Sequence, residues 1–335
     1  MDNFSNAPEL RQDLVTGDWV IIASNRNKKP GDLIKKRKEK RQPSPKSVCP
    51  FENPVKSGNP APSYVWPCLK NWKTQIFENK FPALLPSLKK NEISEEGALY
   101  FSQPAYGYHD LIVTKSHTAN FSKLKKDEAL NVLVAAAERF KFYKQDKNTA
   151  YGLLFHNWGS SAGASIFHPH YQLMALPLIP EIVRHSFSGS EKFFKNNRHC
   201  AYCSVIELEQ KEGKRVIFEN KGAIAFTRFA SKEPFDVRVF PKNHFSSFEE
   251  TPADVLSSIV EALQFSLSRL EKTLNDPDYN FYLHSAPFKN QSKFGFYHWH
   301  FDIVPKFSVS AGMEIGSGIE ITVVSPEDAA KLLKK

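Results

Sequence analysis

Chemistry-bearing residues run through the same order twice in this chain, and that repetition constrains its fold more than any other feature. In the first half Cys49-Pro-Phe-Glu52 is followed after 64 residues by His117 and after a further 50 by His168. In the second half Cys200-Ala-Tyr-Cys203 is followed after 40 residues by His244 and after a further 53 by His298. Each lone histidine closes a strand-like segment, GYHDLIVTKSH or PFDVRVFPKNH. Next comes a stretch with apolar residues at three- and four-residue steps, the helical period: LKKDEALNVLVAAAERFKFYKQ or TPADVLSSIVEALQFSLSRLEKTL. In the latter, Thr251 is the expected N-cap ahead of Pro252, with Asp254 in the first turn. A strand follows each helix, YGLLFHN or NFYLHSA, and then HPHYQLMALP or YHWHFDIVP. A repeat this long predicts two tandem α+β units, residues 1–180 and 181–335, with mostly antiparallel sheets and covering helices, forming a pseudo-dimer in which the sheets merge or pack.

The 335 residues suffice for one large core or two domains. Hydrophobic residues at 41% and charged residues at 24% are those of a soluble globular protein. No apolar run reaches the roughly 18 residues of a membrane helix. MDNFSNAPELRQD has neither the basic nor the apolar region of a secretory signal, so a cytoplasmic protein without a membrane partner is expected. The net charge of +9 suits a phosphate-bearing partner. Much of the excess, however, sits in KKPGDLIKKRKEKRQPSPK (28–46), which reads as a solvated, mobile loop, and nucleic acid is not an expected partner.

Four cysteines in such a chain are poor disulfide candidates. Cys200-x-x-Cys203 is either a redox pair or half a metal site. A redox pair would open a helix in a thioredoxin-like unit, which the flanks do not suggest, so metal ligation is favoured. Zinc takes four tetrahedral ligands from thiolate, imidazole and carboxylate. Cys200, Cys203, His244 and one histidine of the pair His298/His300 make such a set, His298 being the one whose spacing matches His168. Cys49, Glu52, His117 and His168 make a second, with a carboxylate in place of one thiolate and Cys68 as a remote substitute.

If the HPHYQ segment is extended, His168, His170 and Gln172 line one side of it. With His168 on a metal, His170 is free for other work. The loop GSSAGAS (159–165) is small and glycine-rich, a form that lets backbone N–H groups approach an anion, although it is neither a P-loop nor a dinucleotide fingerprint. Imidazole beside a cradled phosphate points to nucleophilic catalysis at phosphorus through a phospho-histidine, with Gln172 donating to a phosphate oxygen.

These residues resemble the galactose-1-phosphate uridylyltransferase family of the histidine-triad superfamily over nearly the whole chain. The resemblance is carried by ELRQDLVTGDWVIIASNRNKKP, FENKFPAL, NWGSSAGASIFHPHYQ and YHWHFDIVPKF…AGMEIGSG. HPHYQLMALPLIP also resembles the branch containing ADP-glucose phosphorylase. The resemblance implies a nucleotidyltransferase acting on a nucleotide sugar and a sugar 1-phosphate in ping-pong fashion, of the UDP-glucose–hexose-1-phosphate type, with phosphorolysis of ADP-glucose as the alternative. It implies His170 as nucleophile and His168 as metal ligand. It also implies nucleotide contacts from Gln172, Ser165, Asn157 and Gly163, substrate contacts from Arg26 and Asn79, sugar contacts from Lys306 and Glu314, one or two Zn2+ ions, and a homodimer. Glu52 departs from the family's Cys-x-x-Cys. Asp302 stands where the first half has Gln172, and no small-residue loop precedes it, so His300 is expected not to be a nucleophile. A silent nucleotide-binding or structural zinc protein is the contrasting class, and intact His170, Gln172 and the loop argue against it.

Overall fold

Both apolar stretches form long helices in the computed structural model, which describes residues 7–24, 41–88, 94–97, 99–307 and 311–335. The helices are α1 (Lys126–Gln145), α2 (Glu181–Asn197), α3 (Ala201–Glu212), α4 (Ala253–Leu274), α5 (Gly312–Ser317) and α6 (Pro326–Leu333). In α1, Ala129, Val132, Leu133, Ala136, Phe140 and Tyr143 make one buried stripe; in α4, Leu256, Ile259, Val260, Leu263, Leu267, Leu270 and Leu274 make another. Asp127 and Glu128 in the first turn of α1 complement its dipole, and Asn275 in the left-handed region (φ 56°) stops α4. The expected cap at Thr251 does not form. Pro252 holds the N-cap position, because the Thr251 hydroxyl is taken: it accepts from the Trp299 indole N–H at 2.9 Å and donates to the Ser247 carbonyl at 3.4 Å.

The strands are β1 (Glu9–Gln12), β2 (Trp19–Ile22), β3 (Tyr64–Trp66), β4 (Thr74–Glu78), β5 (Ser94–Glu96), β6 (Tyr100–Ser102), β7 (Tyr108–Thr114), β8 (Tyr151–Trp158), β9 (His170–Leu176), β10 (Val216–Glu219), β11 (Ala223–Thr227), β12 (Val237–Pro241), β13 (Tyr279–His284), β14 (His300–Pro305) and β15 (Glu320–Thr322). Ten of them form one sheet in the order β10-β11-β12-β14-β13-β8-β9-β7-β4-β3, all pairings antiparallel. The order reads alike from both ends. Each half supplies five strands, and the two half-sheets merge rather than stack. They join where β8 meets β13, with Trp158 opposite Tyr279, Asn157 opposite Asn280, His156 opposite Phe281 and Phe155 opposite Tyr282.

Alternation along these strands separates two faces. Leu154, Tyr171, Leu173, Phe281 and Ile303 enter a single core shared with α1 and α4, which also touch each other. His170 and Gln172 point to the other face. Both His-x-His segments become strand only at their second histidine, so His168 and His298 lie just ahead of β9 and β14 instead of within them. The hairpin of β1 and β2 adds β15 in parallel, tying the start of the described chain to its end. No helix among the described residues is long and apolar enough to cross a membrane.

A core shared by both halves makes Leu263 costly to truncate. Leu263→Ala is expected to lower unfolding free energy by about 2–5 kcal/mol, and Leu69→Ala, at a residue 70% exposed, by less than about 0.5 kcal/mol. Urea denaturation compares the two. Equal losses would contradict the shared core.

Candidate active site

Both predicted ligand sets are brought together. Cys49, Glu52, His117 and His168 come together with their donor atoms within 4.8 Å of one another, and so do Cys200, Cys203, His244 and His298. In the first set, the His168 Nε2–H donates to the Thr114 carbonyl at 2.7 Å and the His117 Nε2–H to the Ser44 carbonyl at 2.7 Å. Each Nδ1 therefore presents a lone pair. The His117 Nδ1 lies 2.9 Å from Glu52 Oε1, and both atoms are buried without a hydrogen-bond partner among the described residues. Two acceptors face each other only across something positive. Cys49 Sγ, 3.5 Å from the His168 Nδ1, completes a donor set suited to a metal ion. Ligand bonds of roughly 2.3 Å to sulfur and 2.1 Å to nitrogen set tetrahedral S···N spacings of about 3.5 Å. Burial brings the His168 pKa down to about 4, which keeps the ring neutral. Cys68 is exposed and stays outside the set.

In the second set Cys203 Sγ stands 3.3 Å from the His244 Nδ1 and 3.5 Å from the His298 Nδ1, while the His244 Nε2–H donates to the Gly295 carbonyl at 3.0 Å. The Cys203 thiol beside it draws Cys200 far down toward thiolate, the ligating form. The flanks do open a helix, contrary to expectation: Cys200 caps α3 and Cys203 lies in its first turn. The two histidines at the sulfurs are what separate this motif from a dithiol redox pair.

His170, Gln172, Ser165 and Asn79 line one cleft of about 320 Å³, together with Phe51, Asn59, Lys80 and Leu111. His170 is 8% exposed. Burial lowers its pKa, so the ring is neutral, and its Nδ1–H donates to the His168 carbonyl at 3.0 Å. The lone pair is thereby left on Nε2. Phe51, held between the ligand-set residues Cys49 and Glu52, places its ring tilted against His170 at 5.1 Å and edge-on to His168 at 5.8 Å. Beneath the strand, the His156 Nδ1–H donates to the His170 carbonyl at 2.7 Å, and burial keeps His156 neutral, at about 3.

The glycine-rich loop is built differently from an amide cradle. The N–H groups of Ala162, Gly163 and Ala164 donate to carbonyls within the loop, and the Ser161 N–H donates to the Asp278 carboxylate at 2.8 Å. Gly159 (φ 90°) has no room for a side chain, since a Cβ there would lie 2.1 Å from Asp278. Gly163 (φ 86°) turns the chain back toward Ser165, which the loop delivers to the cleft. Asn157 lies at the join of the halves, accepting from the Asn280 amide at 2.8 Å. Lys306 and Glu314 are outside this cleft. The Lys306 backbone N–H donates to the Asp278 carbonyl, and Glu314 caps its own helix α5 through the Ala311 N–H. Arg26 and most of the basic block lie outside the described residues. Sequence reasoning missed Phe51, Asp278 and His109, whose ring stands 2.9 Å from the Gln172 Oε1. For His109, the two-residue alternation from Leu111 along GYHDLIV was the available signal.

Residues 2–180 match the family described as galactose-1-phosphate uridyl transferase, N-terminal domain. The chain is 33% identical over 335 residues to an ADP-glucose phosphorylase of Arabidopsis thaliana, covering 99% of this chain and 93% of that protein. It is 25% identical to a galactose-1-phosphate uridylyltransferase of Thermotoga maritima, covering 98% of each. The crystal structure of an Arabidopsis thaliana ADP-glucose phosphorylase with bound ADP-glucose superposes with a TM-score of 0.83 at 30% identity, over 98% of this chain and 99% of that one. A uridylyltransferase structure superposes with a TM-score of 0.74 at 28% identity, over 97% of each.

The second half turns its equivalent position into an ionic core. As Gln172 pairs with Leu111, Asp302 pairs with Arg238. His300 is 1% exposed, packed between the rings of Tyr202, Phe240 and His284 at 4.7, 4.8 and 5.0 Å. Asp302 accepts from Arg238 at 2.9 Å, and Asp13, from the turn between β1 and β2, receives both Arg228 and Arg238 at 3.3 Å. His300 is thus enclosed by side chains among the described residues. Burial alone would raise the Asp13 pKa, but Arg238 and Arg228 outweigh it and hold the carboxyl well below the ordinary range. A depressed folded-state pKa contributes stability that is full above the unfolded value, about 3.9, and is lost as pH falls below it. Asp13→Asn is expected to cost about 3–5 kcal/mol at pH 7, and the difference from the parent should shrink near pH 3. Denaturation at both pH values tests this; a loss independent of pH would contradict it.

Proposed function

This chain belongs to the galactose-1-phosphate uridylyltransferase family, and from that premise and the cleft at His170 we propose that its reaction proceeds through a covalent nucleotidyl-histidine. It is a nucleotidyltransferase acting on nucleotide sugars. The observation that carries the mechanism is the division of labour in the His170 ring: Nδ1–H committed to the His168 carbonyl, Nε2 free at the cleft. In the first step the Nε2 lone pair attacks the α-phosphorus of the donor. The bond from that phosphorus to the bridging oxygen breaks, and the sugar 1-phosphate leaves with the electron pair. Positive charge on the substituted ring is spread through Nδ1–H to the carbonyl. Gln172, Ser165 and Asn79 offer donors where charge grows on the phosphoryl oxygens. In the second step an acceptor phosphate oxygen attacks the same phosphorus, and the bond to Nε2 breaks, restoring the neutral ring.

We take ADP-glucose as donor and inorganic phosphate as acceptor. Support for this choice over a UDP-hexose donor and a hexose 1-phosphate acceptor is the higher identity and the higher TM-score to the ADP-glucose phosphorylase. Zinc at each ligand set would act as a crosslink and supply no chemical step. At Cys49, Glu52, His117 and His168 it would hold the His168 carbonyl and Phe51 against His170.

The test is incubation with ADP-glucose or UDP-glucose labelled in the nucleoside monophosphate, without acceptor. Acid-labile label from ADP-glucose is expected on the protein, and His170→Ala should slow turnover by roughly 10⁴-fold or more. Label from UDP-glucose alone would favour the uridylyl donor, and no label from either would overturn the histidine mechanism. Metal analysis runs alongside: Cys203→Ser and Glu52→Ala should each release about one equivalent of zinc, and a zinc-free parent would refute the crosslinks.

A further inference from the structure

We propose that His109 is a positioning residue for nucleotidyl transfer, setting which end of the Gln172 amide faces the phosphate. The inference rests on the His170 reading above. A glutamine amide has two nearly isosteric ends, one that donates twice and one that only accepts. Turned one way toward a phosphoryl group that gains negative charge, it stabilises; turned the other way, it repels. Gln172 lines the cleft beside His170, so its sense matters to the step.

His109 fixes that sense through its own tautomer. The backbone N–H of Ala83 donates to the His109 Nδ1 at 3.1 Å. A nitrogen that accepts carries no hydrogen, and a backbone N–H cannot become an acceptor, so the neutral ring holds its hydrogen on Nε2. That N–H points at the Gln172 Oε1, 2.9 Å away. With the oxygen engaged, the amide nitrogen is the end left for the cleft. Asn79 Nδ2 lies 3.2 Å from the same Nε2, and because the Phe81 N–H donates to the Asn79 Oδ1 at 3.0 Å it is an N–H that Asn79 presents there; the Nε2–H set by Ala83 has its acceptor in the nearer Gln172 Oε1. The register supports the geometry. Leu111 of β7 stands opposite Gln172, and His109, two residues along on the same face, is its diagonal neighbour. His109 does not line the cleft and acts through Gln172. The FENKFPAL segment thereby gains a second role: besides Asn79, it supplies the backbone N–H that selects the tautomer.

A double-mutant cycle with single-turnover labelling of His170 and donor dissociation constants tests the proposal. His109→Leu should slow labelling by about 10- to 100-fold while changing donor affinity by less than about 3-fold. His109→Gln, which can place an amide N–H near the Nε2 position, should recover labelling to within about 5-fold of the parent. In the Gln172→Ala background, His109→Leu should cost nothing further. Parent-like labelling by His109→Leu, no recovery by His109→Gln, or losses that multiply in the double variant would each overturn the positioning role while leaving the histidine mechanism standing. Absence of label on the parent would instead overturn both.

Discussion

The antiparallel ladder between β8 and β13 is the interaction on which the rest of this structure depends. It turns two five-stranded halves into one sheet and sets a common alternation across it. A one-residue slip there would exchange the faces of one half relative to the other, bringing polar site residues under the helices. In register, α1 and α4 cover one face with a continuous core, and the opposite face is left for chemistry. Side chains reinforce the ladder at the same point. The Asn280 amide donates to both Asn157 and the Ala162 carbonyl, so the second half grips the loop that delivers Ser165 to the cleft of the first.

The two halves of the sheet, alike in strand order, differ in what surrounds the second histidine of each His-x-His. The first half leaves a neutral imidazole lining a cleft. In the second, Asp302, Arg238, Arg228 and Asp13 put paired charge beside the corresponding position, and Tyr202 and Phe240 pack against His300. Removing one member of such a network strands its partners, which makes the charged arrangement costly to alter. The second half serves as a buttress: Asp278 holds Ser161 and Arg41, and Arg41 stacks on Trp158 at 4.4 Å. The ligand sets play a similar part. Each gathers a histidine from the segment ahead of a strand, and in the first half Phe51, which neighbours His170, lies between two members of the set.

Much of this was legible in the sequence because it is written in period and spacing. The helical stripes of α1 and α4 and the repeated Cys-x-x-Cys/Glu…His…His-x-His order follow from residue types at fixed intervals, while the separate parts given to His168 and His170 came from the family resemblance. What escaped was set by tertiary partners. Thr251 carries a capping signature, yet Trp299 takes its hydroxyl. Cys200-x-x-Cys203 opens a helix that its flanks did not announce. The glycine loop looked like an anion cradle, but its amides close on themselves and on Asp278, which is more than 100 residues away in sequence. His109 carried only the strand alternation as a signal, and its role depends on a backbone N–H from a different segment.

The central claim, two displacements at one phosphorus through His170, is tested most directly by stereochemistry. The measurement is the configuration at the α-phosphorus after turnover of a donor made chiral there by isotopic or sulfur substitution. Each in-line displacement inverts the centre, so passage through a nucleotidyl-histidine predicts net retention. Net inversion would mean a single direct transfer and would contradict the account.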